Sequence, residues 1–170
     1  MSKRGHAQSF LLPITVAIIV PVVIVSLTND WEFSWHLPSP YHLALLLLGA
    51  PLVVVGIALL YATIKLFASV GQGTLAPWKP TQHLVVQGPY RYVRNPMISG
   101  VLLVLLGESI LFTSFPIFLW FVFFLVGNHI YFIKSEEPGL AARFGEGFRR
   151  YCENVPRWIP RKNPWNPERD

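Results

Sequence analysis

The sequence predicts an all-α membrane protein: a polytopic bundle of four transmembrane helices with an amphipathic helix on its cytosolic side. Three observations predict it. Hydrophobic residues make up 52% of the 170 positions and charged residues only 14%, against about 25% charged in a soluble domain. Four apolar runs approach or exceed the roughly 20 residues that a spanning helix needs. The charges between the runs are sorted by side.

The first run, residues 10–27, follows Lys3 and Arg4 like the core of a signal peptide. It is longer than such a core, and Ser26-Leu27-Thr28-Asn29-Asp30 offers no small-residue cleavage site, so it reads as a retained anchor. The second run, from Tyr41 to about residues 69–70, contains Gly49, Pro51 and Gly56. At 1.5 Å per residue it would reach roughly 45 Å, too long for one upright crossing. It must tilt, kink near Pro51 or project into the cytosol. The third run is residues 97–113 and the fourth 115–133, separated by an uncharged turn near Phe112 to Pro116. None of the four alternates in hydrophobicity as the strands of a membrane barrel would.

Charge gives the orientation. Thr28 to Pro40 holds Asp30 and Glu32 but no Lys or Arg. Lys3, Arg4, Lys79, Arg91, Arg94 and every basic residue from Lys134 onward lie on the opposite side. The positive-inside rule places both termini and the 70–96 loop in the cytosol. The net charge of +5 mostly reports this topology, and the dispersed basic residues do not form a nucleic-acid surface. They suit anionic headgroups. One cysteine, Cys152, excludes an internal disulfide framework and a cysteine-based zinc site.

Little chain remains for chemistry, and it falls in two stretches. The loop opens with Gly71-Gln72-Gly73-Thr74-Leu75-Ala76, which matches the dinucleotide fingerprint by letter. That fingerprint requires a preceding strand and a following helix. Here a membrane helix precedes and Pro77 follows, so the segment reads as an exit from the second helix. Further on, Gly88-Pro89 makes a turn, and Pro96 suits the first turn of the third helix, where a missing N–H costs nothing. The free backbone N–H groups around Asn95 to Ile98 favour an anion. The rival reading of this loop is an interfacial anchor, with Trp78, Tyr90 and Tyr92 at headgroup level and Arg91 and Arg94 on phosphates.

The second stretch begins after the fourth run. Glu136-Glu137-Pro138 can open a helix, its acids either serving the helix start alone or offering one carboxylate to a ligand. Leu140, Phe144, Phe148 and Tyr151 then form one apolar stripe, as on a helix lying on the bilayer or capping the bundle. Adjacent carboxylates diverge on a helix, so at most one of the pair faces a ligand. Within the runs, Glu108, Asn128 and His129 are functional candidates by position. Glu108 lies toward the outer half and suits an interhelical hydrogen bond. Asn128 and His129 either line a pocket or pack between helices.

Taken together, Gly88-Pro89-Tyr90-Arg91-Tyr92-Val93-Arg94-Asn95-Pro96-Met97 with Gly100, then Glu136-Glu137, Leu140, Phe144-Gly145, Tyr151 and Val155-Pro156-Arg157 with Pro160, resemble a known superfamily. They are similar to the isoprenylcysteine carboxyl methyltransferases and the related phospholipid methyltransferases, integral membrane enzymes. The resemblance covers residues 73–160. It implies S-adenosylmethionine as cofactor, bound by Gln82, His83, Leu84, Val85, Tyr90, Arg94, Asn95, Pro96, Met97, Ile98 and Glu136. Glu136 would pair with the cofactor's ammonium, and helix N–H groups or Arg94 with its carboxylate. Glu137 and His129 are the catalytic candidates, His129 taking a proton through a water. Asn95 stands where the prenylcysteine enzymes have histidine, Ile98 where they have tyrosine, and Phe132 where they have an arginine for the substrate carboxylate. The expected partners are therefore the bilayer and a lipophilic acceptor entering from it, more lipid amine than prenylcysteine. The competing readings are an NADPH-dependent membrane reductase and a non-enzymatic protein that binds anionic lipid or a partner.

Overall fold

A computed structural model describes residues 13–28, 40–70 and 84–167. Among them every regular element is helical. Helix α1 is Thr15–Thr28, α2 is Tyr41–Val70, α3 is Pro96–Leu111, α4 is Phe115–Tyr131 and α5 is Glu137–Asn154. The Gly71–Ala76 stretch and the cofactor candidates Gln82 and His83 lie outside the described residues.

Two helical stretches, Tyr41–Leu66 and the continuous Phe115–Asn154, are long and apolar enough to cross a membrane; α1 and α3 are shorter apolar helices. Their outward faces carry a belt of exposed side chains that includes Ile18, Val22, Leu47, Val54, Ile57, Phe123 and Val126. A soluble monomer rarely exposes so much contiguous apolar surface.

Helices α2 and α3 run antiparallel in the tightest contact of the bundle. Four glycines make it, seven residues apart on each helix. A Cβ on Gly56 would lie 2.7 Å from the Gly100 carbonyl oxygen, and one on Gly107 would lie 2.8 Å from that of Gly49. Small residues at such positions let backbones approach without displacing side chains. Pro51 sits inside α2, whose helical assignment continues through it.

The α3–α4 turn has a full set of local partners. Ser114 N–H reaches the Ser109 carbonyl and Thr113 N–H that of Ile110, the paired bonds of a Schellman stop. Thr113 takes the left-handed position there, at φ 52°. Ser114 then caps α4 by accepting from Ile117 N–H, with Pro116 in the first turn. Helix α1 opens with one π-helical turn, Thr15–Ile19, and Trp120 of α4 donates its indole N–H to the Val16 carbonyl of that turn at 3.2 Å. Ala17, Val101, Val104 and Leu105 form the buried core beneath.

The sequence expectation of a fresh helix start at Glu136-Glu137-Pro138 is corrected. Helix α4 runs on into α5 through a π-helical turn, Phe132–Glu136. Pro138 follows that turn directly, inside the continuous helix, and cannot donate to the turn behind it. The interruption comes later, at Gly145, whose φ of 55° and ψ of −128° only glycine adopts readily. The stripe of Leu140, Phe144, Phe148 and Tyr151 packs together, over Val155, Trp165, Leu84 and Val86.

Candidate functional site

The polar cap is built from three pieces of chain. The first is the segment 84–95 before α3. The second is the π-turn with the start of α5. The third is an irregular tail, residues 155–167, that returns across the first.

In the first piece, Gly88 adopts φ 53° and so permits the turn that begins a 3-10 helix, Gly88–Arg91. Pro89 rigidifies it, and Tyr90 and Arg91 project from it. The tail then binds this piece through its backbone. Arg94 N–H donates to the Pro156 carbonyl (2.9 Å), Arg161 N–H to that of Tyr92 (3.0 Å) and Trp165 N–H to that of Arg91 (3.0 Å). Arg91 Nε returns a bond to the Trp165 carbonyl at 2.6 Å. Tyr151 OH donates to the Tyr90 carbonyl at 2.7 Å, tying α5 to the same loop. The tail runs antiparallel to the loop without forming a ladder, since Pro156, Pro160 and Pro164 interrupt the donor series.

The charged centre of the cap is Glu137. Arg157 meets it in a two-point contact, Nε to Oε1 and Nη2 to Oε2, both 2.8 Å. Arg94 Nη1 adds a third bond at 2.9 Å and also donates to Cys152 Sγ at 3.0 Å. Burial raises the Glu137 carboxyl, but the Arg157 hydrogen bonds and the Arg94 and Arg157 charges outweigh it and hold it below its ordinary value. Glu137 is therefore an anchored anion. Three of its acceptor positions are taken by two guanidiniums, an arrangement suited to holding chain segments together.

Glu136, one residue earlier, is in the opposite situation. Burial, with the neighbouring Glu137 charge adding to it, pushes its carboxyl up to about 7. Among the described residues no cation is recorded against it. Tyr90 lies close enough that Glu136 adds to the upward push that burial already gives its phenol. Adjacent positions on a helix diverge, and Glu137 lies on the arginines while Glu136 lies toward Tyr90.

Asn95 precedes α3 and makes no side-chain cap bond to it; Pro96, buried, is its first residue. Arg94 Nε is buried without a partner. Met97 and Ile98 are half-buried in the first turn, as are Leu84 and, more deeply, Val85 in the entering segment. The cap thus brings Tyr90, Arg94, Glu136 and Glu137 together.

His129 lies near the C-terminal end of α4 and accepts the Trp158 indole N–H at Nδ1, at 3.1 Å. Asn128 Nδ2 instead donates to the Phe124 carbonyl of its own helix. Phe132 is 3% exposed and packs on Trp158 at 5.6 Å between centroids.

Sequence reasoning missed the tail. Val155-Pro156-Arg157 had carried only resemblance, and Trp158, Arg161 and Trp165 no role. Their partners lie between 7 and 74 positions away, and no local periodicity reports such contacts. The available signal was composition: a polar segment rich in proline, arginine and tryptophan.

The model of the phospholipid methyltransferase family matches residues 44–147, from early α2 into α5. The chain belongs to the phospholipid methyltransferase family. No curated protein matches it significantly. Membership in the phospholipid methyltransferase family carries methyl transfer on lipid-like substrates as the broad activity. The match includes Tyr90, Arg94, Glu136 and Glu137. The strapping tail lies beyond it.

Proposed function

We propose that the protein transfers a methyl group from S-adenosylmethionine to a lipophilic acceptor at the cytosolic face of a membrane that it crosses four times. The observation that carries this reading is Glu136: a half-buried carboxyl beside Tyr90, with no cation against it among the described residues. A second unmatched group, the buried Arg94 Nε, lies in the same cap.

These groups fit the amino-acid end of the cofactor, which brings one ammonium and one carboxylate. Glu136 would hold the ammonium, and Arg94 with the first-turn N–H groups of α3 the carboxylate. Tyr90 would cover the adenine or sulfonium. When bound, the cofactor supplies an electrophilic methyl group on sulfur. The chain's own part is then to hold an acceptor in line and to exclude water.

The acceptor side supports a lipid. Phe132 and Trp158 form an apolar wall where the prenylcysteine enzymes have an arginine. The outward faces of α2 and α4 are apolar, so a hydrophobic acceptor meets the cap from the bilayer.

Two experiments test this. Calorimetry of the detergent-purified protein should show binding of S-adenosylhomocysteine and none of NADPH; the reverse result overturns the cofactor assignment. Incubation with radiolabelled S-adenosylmethionine and a total lipid extract should carry label into the organic phase. Label confined to protein or to water-soluble molecules, or prenylcysteine methylated far faster than any lipid, overturns the acceptor class.

A further inference from the structure

The contact between Trp158 and His129 fixes more than packing. An indole N–H can only donate. The nitrogen that receives it, His129 Nδ1 at 3.1 Å, must present a lone pair. The neutral ring then bears its proton on Nε2. The acceptor side of the imidazole is spent on Trp158, and a donor points away from it.

The indole is itself held in place. Its neighbour Arg157 is fixed to Glu137 by two bonds. Phe132, three residues beyond His129 on the same helix, packs on the Trp158 ring. Glu137 lies close enough to interact with His129, and Arg94 and Arg157 already occupy its oxygens. Flanking His129 on α4 and the π-turn, Val126, Ile130 and Ile133 are exposed and apolar. His129 therefore stands on the line where the apolar helix surface meets the polar cap, which is the depth of a lipid headgroup.

We propose that Trp158 is a positioning residue that locks His129 as the Nε2–H tautomer, so that His129 donates a hydrogen bond to a phosphodiester oxygen of the acceptor lipid rather than taking a proton from it. The proposal rests on the lipid methyltransferase reading and changes the part that His129 plays in it. A phosphodiester suits the position because its oxygens accept and never donate. Trp158 lies in the tail, outside the residues matched to the family, so this control belongs to the chain's own cap.

The test has two arms. In the first, ¹⁵N-histidine spectra of the full protein in detergent report which ring nitrogen is protonated. The chain has five histidines, and the His129→Gln spectrum identifies the signal by its loss. The expected result is Nε2–H alone in the wild type and a mixture of tautomers in Trp158→Phe, which keeps the ring packing and loses the donor. A protonated Nδ1 in neutral wild-type His129, or an unchanged Trp158→Phe spectrum, overturns the lock.

In the second arm, methyl transfer to phospholipid vesicles is measured for His129→Ala and His129→Gln. A glutamine can accept from Trp158 with its carbonyl and donate with its amide. Losing a hydrogen bond to a charged oxygen should raise the lipid KM about tenfold in His129→Ala with kcat nearly unchanged, and His129→Gln should restore it to within about threefold. Equal loss of kcat in both variants identifies a base and overturns the proposal. S-adenosylhomocysteine binding, measured on each variant, shows that the cap is folded. If the wild type fails to bind it, the functional reading fails and the acceptor half of this inference falls with it, while the spectra still decide the lock.

Discussion

Arg157 grips Glu137 with both ends of its fork, 2.8 Å at each oxygen, and thereby joins the tail to the first turn of α5. The side chains are about one-fifth exposed, so solvent weakens the pair but does not dominate it. Arg157→Ala should lower the melting temperature in detergent. Arg157→Lys should recover only part of it, because an ammonium cannot reproduce the planar two-point contact. A melting temperature for Arg157→Ala equal to wild type would show that the tail is held by its backbone bonds alone.

The two neighbouring acids should respond oppositely to neutralisation. Glu137→Gln leaves Arg94 and Arg157 facing no anion and should destabilise the protein. Glu136→Gln should stabilise it near pH 8. The folded-state value for Glu136 is raised to about 7 from an ordinary 4.5. Its contribution is therefore intact below about pH 4.5 and lost as pH rises through 7, when the half-buried carboxyl must ionise. Glu137 is lowered, so its contribution is present above its ordinary value and lost in acid. Melting curves from pH 5 to 8 should show the Glu136→Gln advantage shrinking toward the acid end. A constant difference across that range would contradict the assignment.

For cofactor affinity the order reverses. Glu136→Gln should weaken S-adenosylhomocysteine binding by about 1.5–3 kcal/mol, the usual loss of a charge-assisted hydrogen bond. Affinity in the wild type should rise with pH through 7 as Glu136 ionises, and Glu136→Gln should lose that slope. Titration calorimetry at pH 6 and pH 8 checks both. A Glu136→Gln affinity equal to wild type removes the residue from the site.

Gly56→Ala should separate α2 from α3, since the new Cβ would lie 2.7 Å from a backbone oxygen that cannot turn aside. The expected cost is about 1–3 kcal/mol, the range for overpacking a tight contact. Gly127→Ala is the control. Its Cβ would meet nothing within 4 Å, and removing a mid-helix glycine should be neutral or slightly stabilising. Similar melting temperatures for the two variants would contradict the glycine contact.

The proposed topology is checked by labelling. With Cys152 replaced, single cysteines at Ser34 and at Lys162 should react with an impermeant reagent from opposite sides of the membrane. Reaction from the same side would remove the four-span arrangement.

The parts of the fold written in short-range pattern were legible. Tyr41–Val70 emerges as one helix with the limits that its hydrophobic run indicates. Pro96 opens α3 as a first-turn proline should, and Leu140, Phe144, Phe148 and Tyr151 do share one packed face. The errors lie where local signals point the wrong way. Glu136-Glu137-Pro138 has the composition of a helix start, yet the helix passes through it, because a π-turn adds a residue without a break. Within the candidate site, Tyr90, Arg94 and the two acids were marked, but the contacts that hold them were not. Glu137 is tied to Arg157, twenty residues away. No pattern in the sequence announces that contact.

The strapping tail also has a consequence for timing. Residues 155–167 leave the ribosome after every apolar helix described above. Until they arrive, the Arg94 amide and the Tyr92 carbonyl lack their partners, Glu137 lacks Arg157, and His129 lacks Trp158. Helices α2 and α3 need none of these bonds to lock together through their glycines. A nascent chain can thus be settled in the membrane while its cap is still open. The cap is thus completed by the last described segment, after the helices that it covers.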